Sequence, residues 1–314
     1  MARPRGVRRL ASVLLLLSMG ALMPTIAAGA KLGGAQQQGR LVFTRAVDDG
    51  GTATTAVFSA AADGSDVRQL THPGGGGDSD PRVSANGRKI VFVRQPAGLL
   101  STQLWVVDAD GTHAQKVSTH LPAGAQPTDP TFEGNDTIVY ASLESGLDAL
   151  RLGGNGHPKR LTQGHDSAAA VSASGSTLVF ARGDAILESE PVGATPRVIY
   201  RTKALPLAIA LAPDLRHLAF TEAGGDYLLT IRTHRAIAIS CATPPQTCGP
   251  TAFSPDGATL ALTIRPYIPI DPGGGIPHGS APTNSIGLIT GIGTPHAHEH
   301  VSVVPNATLG DWSR

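Results

Sequence analysis

Short runs of apolar residues recur along the chain, and each one follows a turn made of small or polar residues. The clearest copy is PRVSANGRKIVFVR at 81–94, in which an apolar strand, a turn and the triplet Ile90–Phe92 follow one another. Related copies occupy 130–142, 169–182, 209–222 and 251–264. A strand, a tight turn and a second strand predict a β-hairpin in each copy.

A second hairpin follows the first in several copies. The best example is QLWVVDADGTHAQKV at 103–117, and the segments 56–71 and 149–162 are similar. Their turns contain Asp-Gly or Asn-Gly pairs, which supply the positive φ angles that a tight hairpin requires. The apolar triplets end 40 to 48 residues apart, at positions 92, 140, 180, 220 and 262. Four strands in a period of this length predict an all-β fold of the propeller type.

The sixth copy of the first hairpin is divided between the two ends of the repeat region. GRLVFTR at 39–45 matches the second half of the motif, and GDWSR at 310–314 matches its missing first strand. Trp312 then stands at a position that is apolar in the complete copies. The equivalent residues are Val83, Val171 and Phe253. We therefore predict six blades, with 309–313 as the innermost strand of the first blade beside 40–45, and with Trp312 buried.

These motifs resemble the TolB-like family of β-propeller repeats, which is related to the WD40-like repeats. The stretches that carry the resemblance are FSPDGATLAL, VSANGRKIVFV, LWVVDADG and RQLT, and together the copies cover 39–314. The resemblance implies a six-bladed propeller in which each blade is a four-stranded antiparallel sheet. The family's periplasmic namesake carries a separate N-terminal domain. The segment 31–38 is too short for such a domain, so the resemblance does not identify the binding partner of this chain. The same propeller type also occurs in prolyl oligopeptidase relatives and in some sugar lyases.

The N-terminal 30 residues have the order of a secretory signal peptide. Four arginines precede an apolar run from Leu10 to Met23, and Ala28-Gly29-Ala30 supplies a cleavage site of small residues. The run is shorter than the roughly 20 residues that span a bilayer. We predict a signal peptide at 1–30, a linker at 31–38 and export to the periplasm, the cell envelope or the medium, with no membrane span after cleavage. An uncleaved anchor remains the alternative.

The charge of the mature chain argues against one class of partner. Loss of the four leader arginines lowers Lys plus Arg from 25 to 21, against 24 acidic residues, so the net charge becomes −3. A mildly acidic chain lacks the basic surface that binds phosphates, and nucleic acid is therefore not a predicted partner. The sequence also contains no GxSxG, HExxH, Walker or dinucleotide-binding motif.

Two cysteines, Cys241 and Cys248, lie in SCATPPQTCG. In an exported protein this pair predicts a disulfide that closes a short loop. Two free thiols are the alternative.

Histidines and aspartates recur between the predicted blades. The histidines follow the last strand of a blade, and the aspartates precede or begin the next inner strand. The set consists of His72, His120 and His165 with Asp80, Asp129 and Asp166. Imidazoles and carboxylates at one side of the ring are typical of a site for a polar ligand or a metal ion. The alternative is that each aspartate accepts backbone hydrogen bonds at a turn. The sequence predicts no cofactor other than the metal ion that is one alternative for this site.

Two further segments are candidates for binding. His296, His298 and His300 alternate in HAHEH, so they share one face of a strand, which fits either a metal site or a solvated outer strand. Among the predicted connections, 265–284 is the longest, and long ordered loops commonly carry function.

The sequence therefore favours a monomeric, exported, non-catalytic propeller that binds a protein or an envelope ligand as a scaffold. The alternative is a secreted polysaccharide lyase or hydrolase that uses the His and Asp residues at the channel mouth.

Overall fold

The fold is built from six small antiparallel sheets. The computed structural model describes residues 39–117, 121, 125–142, 146–223, 225–239, 247–265, 284–292 and 298–313. The predicted leader 1–30, the linker 31–38, His120, Cys241, His296 and the loop 266–283 lie outside these residues. The side chains of Cys248, His298 and His300 are also not described.

Within the described ranges the chain forms 24 strands and one 3-10 turn at Ile231–Thr233. The first eleven strands are β1 (Arg40–Asp49), β2 (Thr52–Ala61), β3 (Arg68–Gln69), β4 (Gly77–Val83), β5 (Lys89–Gln95), β6 (Gln103–Asp108), β7 (Gln115–Lys116), β8 (Pro127–Glu133), β9 (Thr137–Ser142), β10 (Gly146–Arg151) and β11 (Lys159–Arg160). The others are β12 (Asp166–Val171), β13 (Leu178–Arg182), β14 (Ala185–Ser189), β15 (Arg197–Arg201), β16 (Ala208–Leu211), β17 (His217–Glu222), β18 (Gly225–Thr230), β19 (Arg235–Ile239), β20 (Thr247–Phe253), β21 (Thr259–Arg265), β22 (Ser285–Thr290), β23 (His298–Pro305) and β24 (Thr308–Trp312).

Each sheet is one blade of a ring. Blade 1 has the strand order β24-β1-β2-β3, and blades 2 to 6 each take four consecutive strands, beginning at β4, β8, β12, β16 and β20. The six-bladed all-β propeller predicted from the repeats is confirmed. No helix in the described part of the chain is long and apolar enough to cross a membrane.

The blades are held together by apolar contacts between neighbours. A blade in a ring buries both of its faces, so its second strand is almost continuously apolar, as in KIVFVRQ of β5. The described core divides into six apolar clusters, and each spans one pair of adjacent blades. Representative members are Val42, Leu70 and Phe92 (blades 1 and 2), Val93, Leu104 and Tyr140 (2 and 3), Val139, Leu147 and Phe180 (3 and 4), Val179, Ile186 and Phe220 (4 and 5), Ala219, Leu228 and Leu262 (5 and 6), and Phe43, Leu288 and Trp312 (6 and 1).

The ring is closed by the C-terminal strand, as the divided repeat predicts. β24 pairs antiparallel with β1, and Trp312 lies opposite Leu41. The equivalent pairs of complete blades are Val83 with Ile90, Val171 with Leu178 and Phe253 with Leu260. Trp312 is 5% exposed and belongs to the cluster between blades 6 and 1. The predicted burial of this tryptophan is confirmed.

The two chain ends also rebuild the turn that a continuous chain makes in other blades. In blade 2 the N–H of Ser84 donates to the Lys89 carbonyl at 2.9 Å, and the Lys89 N–H donates to the Ser84 Oγ at 3.0 Å. In blade 1 the N–H of Ser313 donates to the Arg40 carbonyl at 2.8 Å, and the Arg40 N–H donates to the Ser313 Oγ at 3.1 Å. The terminal strand is therefore held by the same two hydrogen bonds that other blades form within a continuous turn.

Gly39 is required at this junction. Its φ is +100°, and a Cβ at this position would lie 1.8 Å from the Ser313 carbonyl oxygen. A side chain there would push the two chain ends apart.

We predict that loss of the terminal strand opens the ring. Trp312→Ala is expected to lower the free energy of unfolding by about 3–5 kcal/mol, the usual range for a buried aromatic side chain. Deletion of 310–314 is expected to lower it further and to cause aggregation, because two sheet edges become exposed. Thermal unfolding and size-exclusion chromatography measure both effects. Removal of Arg314 alone is the control, and an unchanged midpoint in the 310–314 deletion contradicts closure.

Candidate functional site: the central channel and its mouth

The innermost strands of all six blades surround a central cavity of about 150 Å³. Most of its lining is small and apolar, including residues 169–171 and 209–212. Polar residues line it from most blades, including Thr131, Ser172 and Thr251, and charged residues enter from blades 1 and 2, as Asp311 and Arg82. The charged groups of the lining therefore come from two neighbouring blades.

The two ends of the ring differ. The turns that join the first strand of a blade to the second, and the third to the fourth, lie at one end, which we call the turn face. The connections that join the second strand to the third, and one blade to the next, lie at the other end, which we call the loop face. The innermost strands begin at the loop face, so their first residues form the mouth of the channel.

A repeated β-bulge shapes this mouth. The pairing of β4, β8 and β12 with the following strand shifts register between 79 and 82, between 128 and 131, and between 167 and 170. The residue within each bulge has a positive φ: 49° at Asp80, 47° at Asp129 and 51° at Ala168. Asp tolerates this conformation better than most residues, and a bulge redirects the side chain that it carries. The bulges therefore place the carboxylates of blades 2 and 3 at the mouth.

The carboxyl group of Asp129 lies in an environment that disfavours its charge. Burial raises the pKa of Asp129, and the negative charge of Asp80 raises it further. The positive charge of Arg82 and a weak hydrogen bond of 3.5 Å from the Ala168 N–H oppose that increase. Asp80 and Asp129 are thus electrostatically coupled, with one cation nearby.

Arg82 and Asp311 join blade 2 to blade 1 in the channel. The Nη1 of Arg82 donates hydrogen bonds to the carbonyl oxygens of Pro81 and Gly310. Asp311 accepts a hydrogen bond from the Val83 N–H at 2.8 Å. Burial raises the pKa of Asp311, while the positive charge of Arg82 lowers it. Sequence reasoning missed both residues, because they meet only when the ring closes.

Of the six residues singled out from the sequence, the structure brings Asp80 and Asp129 together. His72 and His165 are exposed on the loop face, and the His72 Nδ1 lies 3.2 Å from the Gln69 Nε2. Within the described residues, no group of three or more His, Cys, Asp or Glu side chains is arranged to hold a metal ion. The ligand role of the six residues stays a prediction, as does the disulfide between Cys241 and Cys248.

Asp166 has a different environment from Asp80 and Asp129. It is buried and accepts two hydrogen bonds from Arg182, at 2.6 Å to Nε and 2.8 Å to Nη2. Asp78 makes the same two contacts with Arg94, at the same separation of 16 residues. Asp166 therefore corresponds in register to Asp78, and it braces the blade. The repeated 16-residue spacing between Asp and Arg was visible in the sequence and would have indicated this.

Comparisons with known proteins establish the fold. No protein-family model matches the chain, and no curated protein matches it in sequence. Its structure is similar to that of TolB from Acinetobacter baumannii, at 12% identity and a TM-score of 0.64, over 88% of this chain and 67% of that one. A nidogen/laminin complex gives 10% identity and a TM-score of 0.62, over 88% of this chain and 98% of that one.

An enzyme shares the same architecture. An oligogalacturonate lyase in complex with manganese gives 11% identity and a TM-score of 0.50, over 79% of this chain and 72% of that one. The predicted TolB-like β-propeller is confirmed as a fold. Because proteins of different function share this fold, function has to be argued from the chain's own surfaces.

The raised pKa of Asp129 predicts a pH-dependent effect of its neutralisation. The folded state binds the Asp129 proton more tightly than the unfolded state does, so the charged carboxylate destabilises the fold at neutral pH. That penalty disappears as the pH falls through the raised pKa toward the unfolded value near 4. Asp129→Asn is therefore expected to increase the free energy of unfolding at pH 7, with a difference from wild type that shrinks toward pH 4.

Urea unfolding at several pH values measures this difference. Asp110→Asn is the control with the opposite sign, because hydrogen bonds from Thr112 lower the pKa of Asp110. That variant is not expected to stabilise the protein at pH 7. A destabilised Asp129→Asn protein at pH 7 contradicts the electrostatic account.

The two Asp–Arg pairs differ in burial, which predicts unequal costs of breaking them. The Arg94 side chain is 10% exposed, whereas that of Arg182 is 39% exposed. Asp78→Ala leaves a buried, unpaired guanidinium and is expected to cost about 3–5 kcal/mol. Asp166→Ala is expected to cost less, because Arg182 reaches solvent. Denaturant unfolding compares the two variants, and the double variant Asp78→Ala/Arg94→Met is expected to recover much of the loss. Equal costs contradict the burial argument.

Proposed function

We propose that this chain is an exported, non-catalytic β-propeller that binds a protein or envelope ligand on its loop face. The proposal combines the leader expected at 1–30 with the surface of the described ring. A propeller offers a rigid disc whose loops project from its two ends, and such loops carry binding residues in many folds.

The observation that carries the proposal is a set of exposed leucines on the loop face. Leu99 and Leu100 lie between β5 and β6 and are 50% and 89% exposed. Leu205 and Leu207 lie between β15 and β16 and are 49% and 64% exposed. Large apolar side chains at loop tips are typical of surfaces that become covered by a partner.

Part of the loop face is held rigidly in place. The β1–β2 hairpin is longer than its counterparts and extends beyond the channel mouth to Asp49. The Asp49 carboxylate accepts a hydrogen bond from the Gly75 N–H at 2.7 Å, and the Thr55 hydroxyl donates to the Asp78 carbonyl at 2.8 Å. The glycine-rich connection at 72–77 is therefore fastened to the hairpin. Such preorganisation lowers the entropic cost of binding.

Substitution of the exposed leucines tests the proposal. The double variant Leu100→Ser/Leu207→Ser is expected to weaken capture of the native envelope partner by at least about tenfold while leaving the thermal midpoint unchanged. The matched control is Val198→Ser/Ile237→Ser, which alters exposed apolar residues on the outermost strands β15 and β19. Quantitative affinity capture of the same partner by all three proteins gives the comparison. Equal capture by the leucine variant and the wild type contradicts a loop-face site.

One observation favours polysaccharide cleavage as a second candidate function. Asp129 lies beside Arg82 at the channel mouth and its burial raises its pKa, which makes this carboxyl group a candidate proton donor or acceptor. Depolymerisation of acidic and neutral polysaccharides by the purified protein tests this function. Activity that disappears in Asp129→Asn supports an enzyme, whereas unchanged activity in that variant excludes Asp129 from the chemistry.

A further inference from the structure

An arginine occupies the same register position in the second strand of blades 1, 2 and 4. Arg94 and Arg182 each face a buried aspartate at the start of the innermost strand, Asp78 or Asp166, with two hydrogen bonds per pair. A planar guanidinium fits a carboxylate in this two-bond geometry better than any other side chain does. The third arginine, Arg45 of blade 1, has the same position in the repeat.

Blade 1 lacks the aspartate. β24 pairs with β1 through Thr308 opposite Thr44, so one further step in the same register places Ala307 opposite Arg45. The buried methyl group of Ala307 thus takes the place of the carboxylate. In blade 2 the Thr71 hydroxyl also donates to Asp78 at 2.6 Å. The chain entering blade 1 has VVPNA at 303–307 before β24, and none of these five residues carries a hydroxyl group.

The guanidinium of Arg45 is left with an unused donor. Its Nη2 donates to the Pro305 carbonyl at 3.0 Å. Its Nε is buried and is the one such side-chain nitrogen or oxygen, among the residues that the structure describes, without a hydrogen-bond partner. A buried donor without an acceptor is costly, and a protein rarely keeps one without a use for it.

Aromatic rings hold the guanidinium in position. Its central carbon lies 5.4 Å from the centre of the Phe43 ring and 5.5 Å from that of Phe58, within the range of cation–π attraction. The two rings stack on each other with centroids 5.9 Å apart. The cation is therefore held in a fixed position by two buried rings of blade 1.

We infer that Arg45 is a binding site for a carboxylate group supplied by a molecule that docks on the loop face. The incoming carboxylate accepts hydrogen bonds from the Nε and Nη2 of Arg45, the two nitrogens through which Arg94 and Arg182 bind their aspartates in the sister blades. The identity of the molecule that carries the carboxylate rests on the proposed function: it is a protein partner that presents an acidic side chain or its C-terminus. The site itself is testable without any partner.

Acetate is the direct probe. In a solution NMR titration at constant ionic strength, with chloride as the balancing anion, the Nε–H resonance of Arg45 is expected to shift saturably as acetate replaces chloride. Arg94 is the internal control, because its Nε already donates to Asp78 and its resonance is expected to stay in place. A Nε–H resonance of Arg45 that does not respond to acetate overturns the inference.

Two substitutions separate the site from general effects of anions. Ala307→Asp supplies the missing carboxylate from within, so it is expected to abolish the acetate response and to raise the thermal midpoint. Arg45→Met is expected to remove the increase in thermal midpoint that acetate gives the wild type, whereas Arg151→Met, on an exposed surface, keeps it. If Ala307→Asp does not fold, the wild-type titration and Arg45→Met still decide the question. Persistence of the acetate effect in Arg45→Met overturns the inference.

A capped peptide with a single aspartate identifies the source of the carboxylate. A response at roughly tenfold lower concentration than acetate supports a polypeptide carboxylate, and an equal response supports a small free carboxylate at the same site. The outcome is distinct from that of the proposed function. Loss of partner capture in the leucine variant with no acetate response leaves the loop-face proposal intact and removes the Arg45 site.

Discussion

The pairing of β24 with β1 is the contact on which the rest of the structure depends. Every other blade is made from consecutive strands, so local chain connectivity holds it together. Blade 1 alone joins segments that are more than 260 residues apart, and it does so with the same two hydrogen bonds at Arg40 and Ser313 that other blades make within a turn. Because each blade buries its faces against two neighbours, one missing inner strand would expose both adjoining apolar clusters.

The carboxylates at the start of the innermost strands are of two kinds, and only one kind stabilises the fold. Asp78 and Asp166 are paired with arginines and strengthen their blades. Asp80 and Asp129 lie at the channel mouth, and Arg82 is the cation that lowers the pKa of Asp129. Charges that are buried or crowded without full pairing are costly, and natural proteins concentrate such costs at functional sites. Arg45 is the converse case, since it is a cation at the same position of the repeat with Ala307 opposite it in place of an aspartate.

The fold could be predicted from the sequence because its information is local and repeated. Each hairpin carries its own turn residues and apolar triplet, and the divided copy at the two ends predicted closure and the burial of Trp312. The site could be predicted only in part. In sequence, Asp166 resembles Asp80 and Asp129. In the structure Asp80 and Asp129 lie within a bulge, whereas Asp166 lies two residues before the bulge residue of its own blade, Ala168. The contact of Asp311 with Val83 spans the closed ring, and no local pattern encodes it.

Amide hydrogen exchange under native conditions tests ring closure most directly. The N–H of Ser313 bonds to the Arg40 carbonyl, and the N–H of Ser84 makes the equivalent bond within a continuous turn. If the terminal strand is an integral part of blade 1, the two amides exchange with comparable protection, through unfolding of the ring. Rapid exchange of Ser313 beside slow exchange of Ser84 would show a frayed terminus and would contradict the closed propeller.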